Sequence, residues 1–401
     1  MRFLSFLTVI FPSYLSALTI QIDYTYDTNN FFDTQEKRDA MEAVAKFFGD
    51  RIQDNLLRID PAEFPGQSWT ARVTNPTTAE ELLLPDLVVP EDTIIVFVGA
   101  RELGGSTAGR AGNGGFPFLQ GSAAWLNRLV SRGQTGRDRS LSASERTDHS
   151  VWGGFISFDT PRIWNFSLEE NRDGTEFVRV ALHEMAHVLG IGTADSWRNL
   201  INEEGTFTGL AAINAHGSAP PADTGHFLDL SQNTDLESPL YGSFGTTHGV
   251  SRPVLMRPLS TDSGSNFNVA TDLDLAALVD IGWEITLPLN LSVDALSSAE
   301  ATFSWPSSSF LNYNLERGTD LITFPDGSGE ISGNALPLEW SDPAPLSEKA
   351  FYRLSSISNL AQAPQLAQSS VENFSNEEEL ITVEVKEVTL ECAFCDHSDE
   401  K

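Results

Sequence analysis

The chain is poor in cysteine, in positive charge and in long apolar runs, and each shortage removes a class of function. Its 2 cysteines, Cys392 and Cys395, stand together in CAFC near the C-terminus. The body of the protein therefore carries no disulfide framework and must rest on its core and any bound ions. A cysteine-based latency switch in the N-terminal part is excluded as well. Lys and Arg total 25 against 56 Asp and Glu, a net charge of −31. Nucleic acid and anionic membrane both require basic patches, so neither is an expected partner. After the N-terminus no stretch reaches the ~20 apolar residues that span a bilayer. No GxSxG elbow occurs, which argues against a serine hydrolase. The glycine-rich GRAGNGGF (109–116) follows no phosphate-loop pattern and reads as a turn. There is no internal repeat.

What is present begins with MRFLSFLTVIFPSYLSA (1–17), one arginine, an apolar run and small residues at the end. That is the layout of a secretory signal peptide, and it predicts a secreted or extracellular protein; a buried first strand or a short anchor is the alternative. At 401 residues the chain is long enough for two domains, and 40% hydrophobic residues suffice for a core. Residues 18–26, 68–74, 92–100 and 151–160 read as strands. Met41, Val44, Ala45, Phe48, Ile52 and Leu56 recur at helical spacing, predicting one amphipathic helix over 34–57. SRGQTGRDRSLSASER (131–146) is a small basic island that reads as a solvated loop. Residues 288–356 carry short β-like runs (ATFSW, LITF, AFYRL) between turns and predict a small all-β, sandwich-like domain. The tail, 357–401, is acidic and is expected to be largely disordered, although its ELITVEVKEVTL alternates as a strand would. CAFCDH there suggests a disulfide or an ordinary thiol pair more than a metal site. The order of elements is that of an α+β protein.

The chemistry sits in ALHEMAHVLGIGT (181–193). Thr175 is the expected N-cap of a helix that stops at Gly190, a residue suited to the left-handed C-terminal conformation. Positions i and i+4 lie one turn apart on a helix, with β-carbons about 6 Å from each other. His183 and His187 can therefore share one metal ion. Glu184 lies ~100° further round the helix. It is badly placed as a ligand and well placed to take a proton from a metal-bound water. Zinc (Zn2+) is the natural metal for imidazoles facing a water, because it brings the pKa of that water from about 15.7 toward about 7. The apolar flanks Val180, Leu182, Met185, Val188 and Leu189 bury the helix, so its polar side chains need partners.

A catalytic zinc site usually has three protein ligands and one open position. His216, His226, His248, Glu203 and Glu204 are all candidates for the third. Asp272 and Asp274 offer oxygens to calcium (Ca2+), a second candidate cation, or else cap their helix. NFS at 165 and 373 and NLS at 290 fit the glycosylation pattern.

HEMAHVLG resembles the zinc-binding motif of the metzincin metallopeptidases, in which the glycine permits a sharp turn under the metal. The compact form of that motif would place its third histidine at Thr193, so the chain resembles instead the leishmanolysin-like branch, with a long insert before the last ligand. GTADSW (192–197), FTGLAAINA (207–215) and TGHFLDL (224–230) carry this likeness. The resemblance implies His226 as third ligand, followed by Phe227 where the family more often has tryptophan. PVLMRP (253–258) resembles the segment with the Met-turn, which implies Met256 as an apolar floor beneath the metal. TDLDLAALVDIGW (271–283) resembles the closing helix of such domains. The likeness spans roughly 18–287 and implies a metzincin-like catalytic domain, a twisted mixed sheet with the motif helix and a C-terminal helix.

The expectation is a secreted zinc metalloendopeptidase acting on proteins or peptides, with His183, His187 and His226 on the metal and Glu184 as general base. Its oligomeric state is open. Two competitors remain. One is a catalytically inactive adhesion or binding protein on the same scaffold; the other is a purely structural zinc closed by both His226 and His248.

Overall fold

A computed structural model describes residues 18–105, 107–168, 174–228, 237–239, 251–257, 270–287, 289–296, 300–319, 322–343, 349–359 and 382–389. The leader-like segment 1–17, His248, His397, Cys392 and Cys395 fall outside them.

The central sheet forms around the most apolar stretch of the N-terminal half. β4 (Thr93–Arg101) is buried at every position but its last, as expected of a strand covered on both faces. It lies between β1 (Thr19–Asp23) and β7 (Gly153–Asp159), parallel to both. β5 (Gly109–Asn113) joins antiparallel to β7 and closes that side, giving the order β1-β4-β7-β5. Side chains alternate between the two faces. Ile94, Val96, Val98 and Ala100 of β4 pack with α1 (Gln35–Gly49) and α3 (Phe177–Val188). Ile95 and Phe97 pack on the opposite face with a smaller cluster that includes Trp69, Trp125 and Trp152. That second face is covered by an antiparallel sheet, β3 (Glu81–Pro85), β2 (Ser68–Thr74) and β6 (Gly115–Gln120), and by α2 (Ala123–Ser131).

Several local expectations change on folding. The helix predicted over 34–57 ends at Gly49, because Ile52 and Leu56 are buried by non-helical contacts. Ile52 bridges Ile285, and the Leu56 amide donates to Asp92 Oδ1 at 2.8 Å. Apolar spacing reports burial, and burial continues where the helix does not. Residues 109–116, expected as a turn, form β5 and the start of β6. The glycines permit close sheet contacts there: a Cβ on Gly114 would meet the Trp152 ring at 2.1 Å. The basic island is not a solvated loop throughout. Arg132 is fully buried, and its guanidinium donates to the carbonyls of Leu57, Thr93, Val151 and Pro90. Four backbone acceptors converging on one cation tie strands and loops together. Arg137 and Arg146 close on Asp195 at 3.2 and 2.5 Å.

Thr175 is not the cap of the motif helix. It lies with Glu176 in a short strand (β9) paired in parallel with Trp164–Asn165 (β8), and α3 starts at Phe177. The C-terminal helix α6 (Asp272–Asp280) does start as its sequence suggests, with Thr271 and Asp274 forming a reciprocal capping box. It is buried from Asp272 to Leu278. The insert covers it on one side: Asp280 accepts the amides of Ala211 and Ala212 at the start of α5 (Leu210–His216).

After residue 288 the chain is β throughout its described parts. β12 (Ser292–Leu296), β13 (Ala301–Trp305) and β16 (Leu338–Asp342) form one antiparallel sheet. β14 (Leu311–Gly318), β15 (Asp326–Ser332) and β17 (Lys349–Ser358) form another, to which β18 (Thr382–Thr389) adds from within the acidic tail. Phe303, Trp305, Tyr313 and Tyr352 join the same hydrophobic cluster as α3 and α6. The Ser308 and Ser309 hydroxyls donate to Asp272, fastening this region to the start of α6. The whole is an α+β protein with several sheets and few helices.

Candidate metal centre

The motif helix α3 runs beneath the sheet with its apolar side chains Val180, Leu182, Met185 and Val188 buried. His183 and His187 project from one face, with Nε2 atoms 3.2 Å apart. The ring of His226 lies 5.2 Å from that of His183 and 5.0 Å from that of His187, centroid to centroid. One nitrogen from each of the three imidazoles falls within 4.8 Å of the others, close enough to hold a metal ion.

Three features bring His226 there. Helix α3 ends at Val188, and Gly190, at φ +111°, reverses the chain. A side chain at Gly190 would also strike the His149 ring at 2.8 Å. Gly192, at φ +74°, lets the later chain approach closely: a Cβ there would come within 2.3 Å of the Gly225 carbonyl oxygen. Asp223 Oδ1 then accepts the amides of Gly225 and His226 at 2.7 and 2.8 Å, a local turn that presents the histidine. Phe227 anchors the segment. It is buried against Trp197 and Phe207, and its amide donates to the Met256 carbonyl at 2.9 Å. Thr193, where the compact motif would have its histidine, donates its hydroxyl to the His187 carbonyl at 2.6 Å. The other candidates among the described residues lie elsewhere. Glu203 and Glu204 are exposed, and His216 closes α5 with its Nδ1 near the Ser218 carbonyl.

The donor set suits a divalent cation of zinc type. His183 Nδ1 lies 2.8 Å from the Leu255 carbonyl oxygen and His187 Nδ1 2.8 Å from that of Ile191. Each carbonyl can only accept, so each Nδ1 carries the proton and each Nε2 presents a lone pair. Two lone pairs facing at 3.2 Å repel unless something positive lies between them. Tetrahedral Zn–N bonds of about 2.0–2.1 Å would put neighbouring nitrogens about 3.3 Å apart. Burial holds the His183 imidazole well below its ordinary pKa, with His187 adding to the effect, and brings His187 down to about 4. His226 is also lowered by burial, against the opposing charge of Asp223. Neutral imidazole is the ligating form.

Glu184 is buried beside this centre, and burial pushes its carboxyl up to about 8, partly offset by Arg110. A cation at the three histidines would act in the same sense as Arg110. The carboxylate lies under the first residue of β5, where a Cβ on Gly109 would meet Glu184 Oε1 at 2.6 Å. β5 is the edge of its sheet, and among the described residues no strand pairs with its outer side.

One carboxylate supports two of the three imidazoles. Asp274 Oδ2 accepts the Leu255 amide and Oδ1 the Met256 amide, both at 2.9 Å. The Leu255 carbonyl orients His183, and the Met256 carbonyl holds the Phe227 amide beside His226. Met256 itself is completely buried. Thr271 adds its amide and hydroxyl to Oδ2, so the Asp274 carboxylate is engaged in capping and in holding these amides. Asp272 likewise accepts from Ser308 and Ser309. Asp274→Ala is expected to lower metal affinity at the three histidines about 10–100-fold by releasing this floor, with Asp274→Asn intermediate. Competition against a chromophoric chelator measures it.

His149 was not singled out by spacing, since its partners are remote. Its Nε2 lies 3.3 Å from the Val188 carbonyl, and Trp283 Nε1 donates to the Leu189 carbonyl at 2.7 Å. Together they satisfy carbonyls at the end of α3. Burial lowers His149 from its ordinary value of 6.5 to about 4. Between those values the unfolded chain takes up a proton that the folded chain refuses. The stability tied to this site is therefore full above pH 6.5 and lost as pH falls toward 4. His149→Gln is expected to flatten the acid limb of stability by one proton, read from urea midpoints across that range.

No family model, curated protein or solved structure matches this chain.

Proposed function

We propose that the protein is an exported zinc-dependent endopeptidase of metzincin type. The observation that carries the reading is the convergence of His183, His187 and His226 on one point, next to buried Glu184 and under a sheet edge that no described strand pairs. Zinc bound there would supply an acidified water and polarise a carbonyl oxygen. His183, His187 and His226 would hold the ion and leave one position open to water and substrate. The outer edge of β5 would bind the substrate backbone in extended form through main-chain hydrogen bonds, placing a scissile bond over Glu184. Glu184 would take the proton of the attacking water as the carbon–oxygen bond forms. It would then deliver that proton to the leaving amine nitrogen as the carbon–nitrogen bond breaks. A general base poised near neutrality serves both steps.

The inactive-scaffold reading has no need of a buried carboxylate beside three imidazoles, since burying it costs free energy that a binding role does not recover. Export rests on the leader-like pattern of residues 1–17. The test is cleavage of casein by the purified full chain, lost on dialysis against a chelator and restored by zinc. Chelator-resistant cleavage, or none with a full metal complement, would defeat the proposal.

A further inference from the structure

We propose that Arg101 and Arg110 form a subsite for an acidic side chain of an extended substrate, beside the open edge of β5. The inference rests on the peptidase reading and names its substrate class.

The placement follows from strand alternation and register. Gly109 faces Glu184 and Ala111 packs with the cluster around α3, so Arg110 between them points to the opposite face of the sheet. Arg101 follows Ala100 of β4, which also packs toward α3, so Arg101 shares the face of Arg110. Across β7, Arg110 is in register with Ser157 and Arg101 with Asp159. The two arginines therefore lie diagonally on one face, Arg110 on the edge strand β5 and Arg101 two strands inward on β4.

Neither guanidinium is paired with a carboxylate, although Arg110 feels the charge of Glu184 at longer range. Neither makes a hydrogen bond or an ion pair among the described residues, and Arg101 Nε is buried without a partner. Arg101 is pushed down by burial and further by the charge of Arg110. The nearest acid in register, Asp159, is already engaged: its Oδ1 accepts the Leu103 amide at 2.9 Å, and its Oδ2 lies 3.9 Å from Arg162. Carboxylates are plentiful in this chain of net charge −31, and several other arginines are paired with them. Asp195 alone takes Arg137, Arg146 and Arg198. Arg101 is partly desolvated beside a like charge while Arg110 reaches into solvent, an arrangement that an incoming carboxylate would relieve.

A peptide added to β5 places alternate side chains on the arginine face. The residue directly across from Arg110, and those two positions away, come within reach of a long side chain. A carboxylate there can accept charge-assisted hydrogen bonds from a guanidinium. Arg110 directly follows Gly109, whose Cβ position lies over the Glu184 carboxylate, so the subsite neighbours the proposed scissile bond.

The experiment uses the zinc-loaded full chain and quenched-fluorescent peptides. Asp, Glu, Asn and Lys are scanned through the positions flanking the cleaved bond. The expected result is a position, or two positions two residues apart, where Asp or Glu raises kcat/KM about tenfold over Asn and Lys lowers it. The readout is that ratio in each protein, so a general change in activity cancels. The ratio should collapse toward unity in Arg110→Gln, shrink in Arg101→Gln and invert in favour of Lys in Arg110→Glu. It should also fall as salt is raised. Cleavage with no acid preference at any position, or a preference unchanged in Arg110→Glu, overturns the subsite and leaves the peptidase reading intact. If no peptide is cleaved, the peptidase reading fails separately, and fluorescence anisotropy with the same peptides decides the subsite. Tighter binding of acidic peptides that depends on Arg110 supports it, and equal binding overturns it.

Discussion

Replacing Glu184 with glutamine is expected to leave the metal in place and remove between about 10²- and 10⁴-fold of kcat on any peptide. The substitution keeps the size of the side chain and its polar contacts. It removes the group that can carry a proton from water to the leaving nitrogen. Neither imidazole of the motif helix depends on Glu184 for orientation: His183 is held by the Leu255 carbonyl and His187 by that of Ile191. Metal content by atomic absorption should therefore match wild type. Replacing a buried carboxyl whose pKa is raised to about 8 by a neutral amide should not lower stability at neutral pH. Loss of metal together with activity would show that Glu184 acts as a ligand or a structural strut. Equal residual cleavage in both proteins would show that another residue is the base.

Removing the third imidazole should act in the opposite way, on the ion first. His226→Ala leaves only His183 and His187, one turn apart on a single helix, and a two-ligand site cannot hold zinc against a competing chelator. Wild-type protein in zinc at about 100 times its Kd gains about 2.7 kcal/mol of stability from mass action alone. The variant should lose nearly all of that gain. The measurement is the zinc-dependent rise in Tm, compared between the two proteins with and without chelator. Their chelated forms should melt close together, because His226 is partly exposed and Phe227 still anchors the segment. A full zinc-dependent rise in His226→Ala would mean that a different side chain completes the site.

These expectations differ in how far the sequence alone could carry them. His183, Glu184 and His187 lie within one and a half turns of a single helix, so their mutual geometry is local and follows from the helical repeat. His226 is another matter. Its position depends on a close backbone approach at Gly192, an Asp223 turn and the Phe227 anchor, none of which has a local period. Only the likeness of whole segments to a known family singled it out among the candidates. Asp274 and His149 were harder still, since each serves carbonyls or amides remote in the chain. Local rules also misled at β5. Glycine-rich sequence reads as a turn, yet at a sheet edge the missing side chains make room for Glu184 and Trp152. Arg132 was hidden in a run that looked solvated, because nothing in a basic stretch reveals that one of its members finds four carbonyls. The helix at Thr175 illustrates a third cause: its N-terminal residues are claimed by a neighbouring strand, and tertiary pairing outweighs a capping preference.

The fastening of the 131–146 stretch bears on how long such a protein would last among its own copies. Chain-cutting enzymes at high concentration meet one another as prey, and a basic, serine-rich surface segment would be an obvious place for the first cut. To enter a cleft, that segment would have to straighten. Here Arg132 anchors one end inside the fold, and Asp195 and Asn199 grip the other through Arg137, Arg146 and the carbonyl oxygens of Ala143 and Arg146. Pulling it straight would break both moorings at once. Nicking at this place is thus resisted by architecture, with no cysteine in the segment to help.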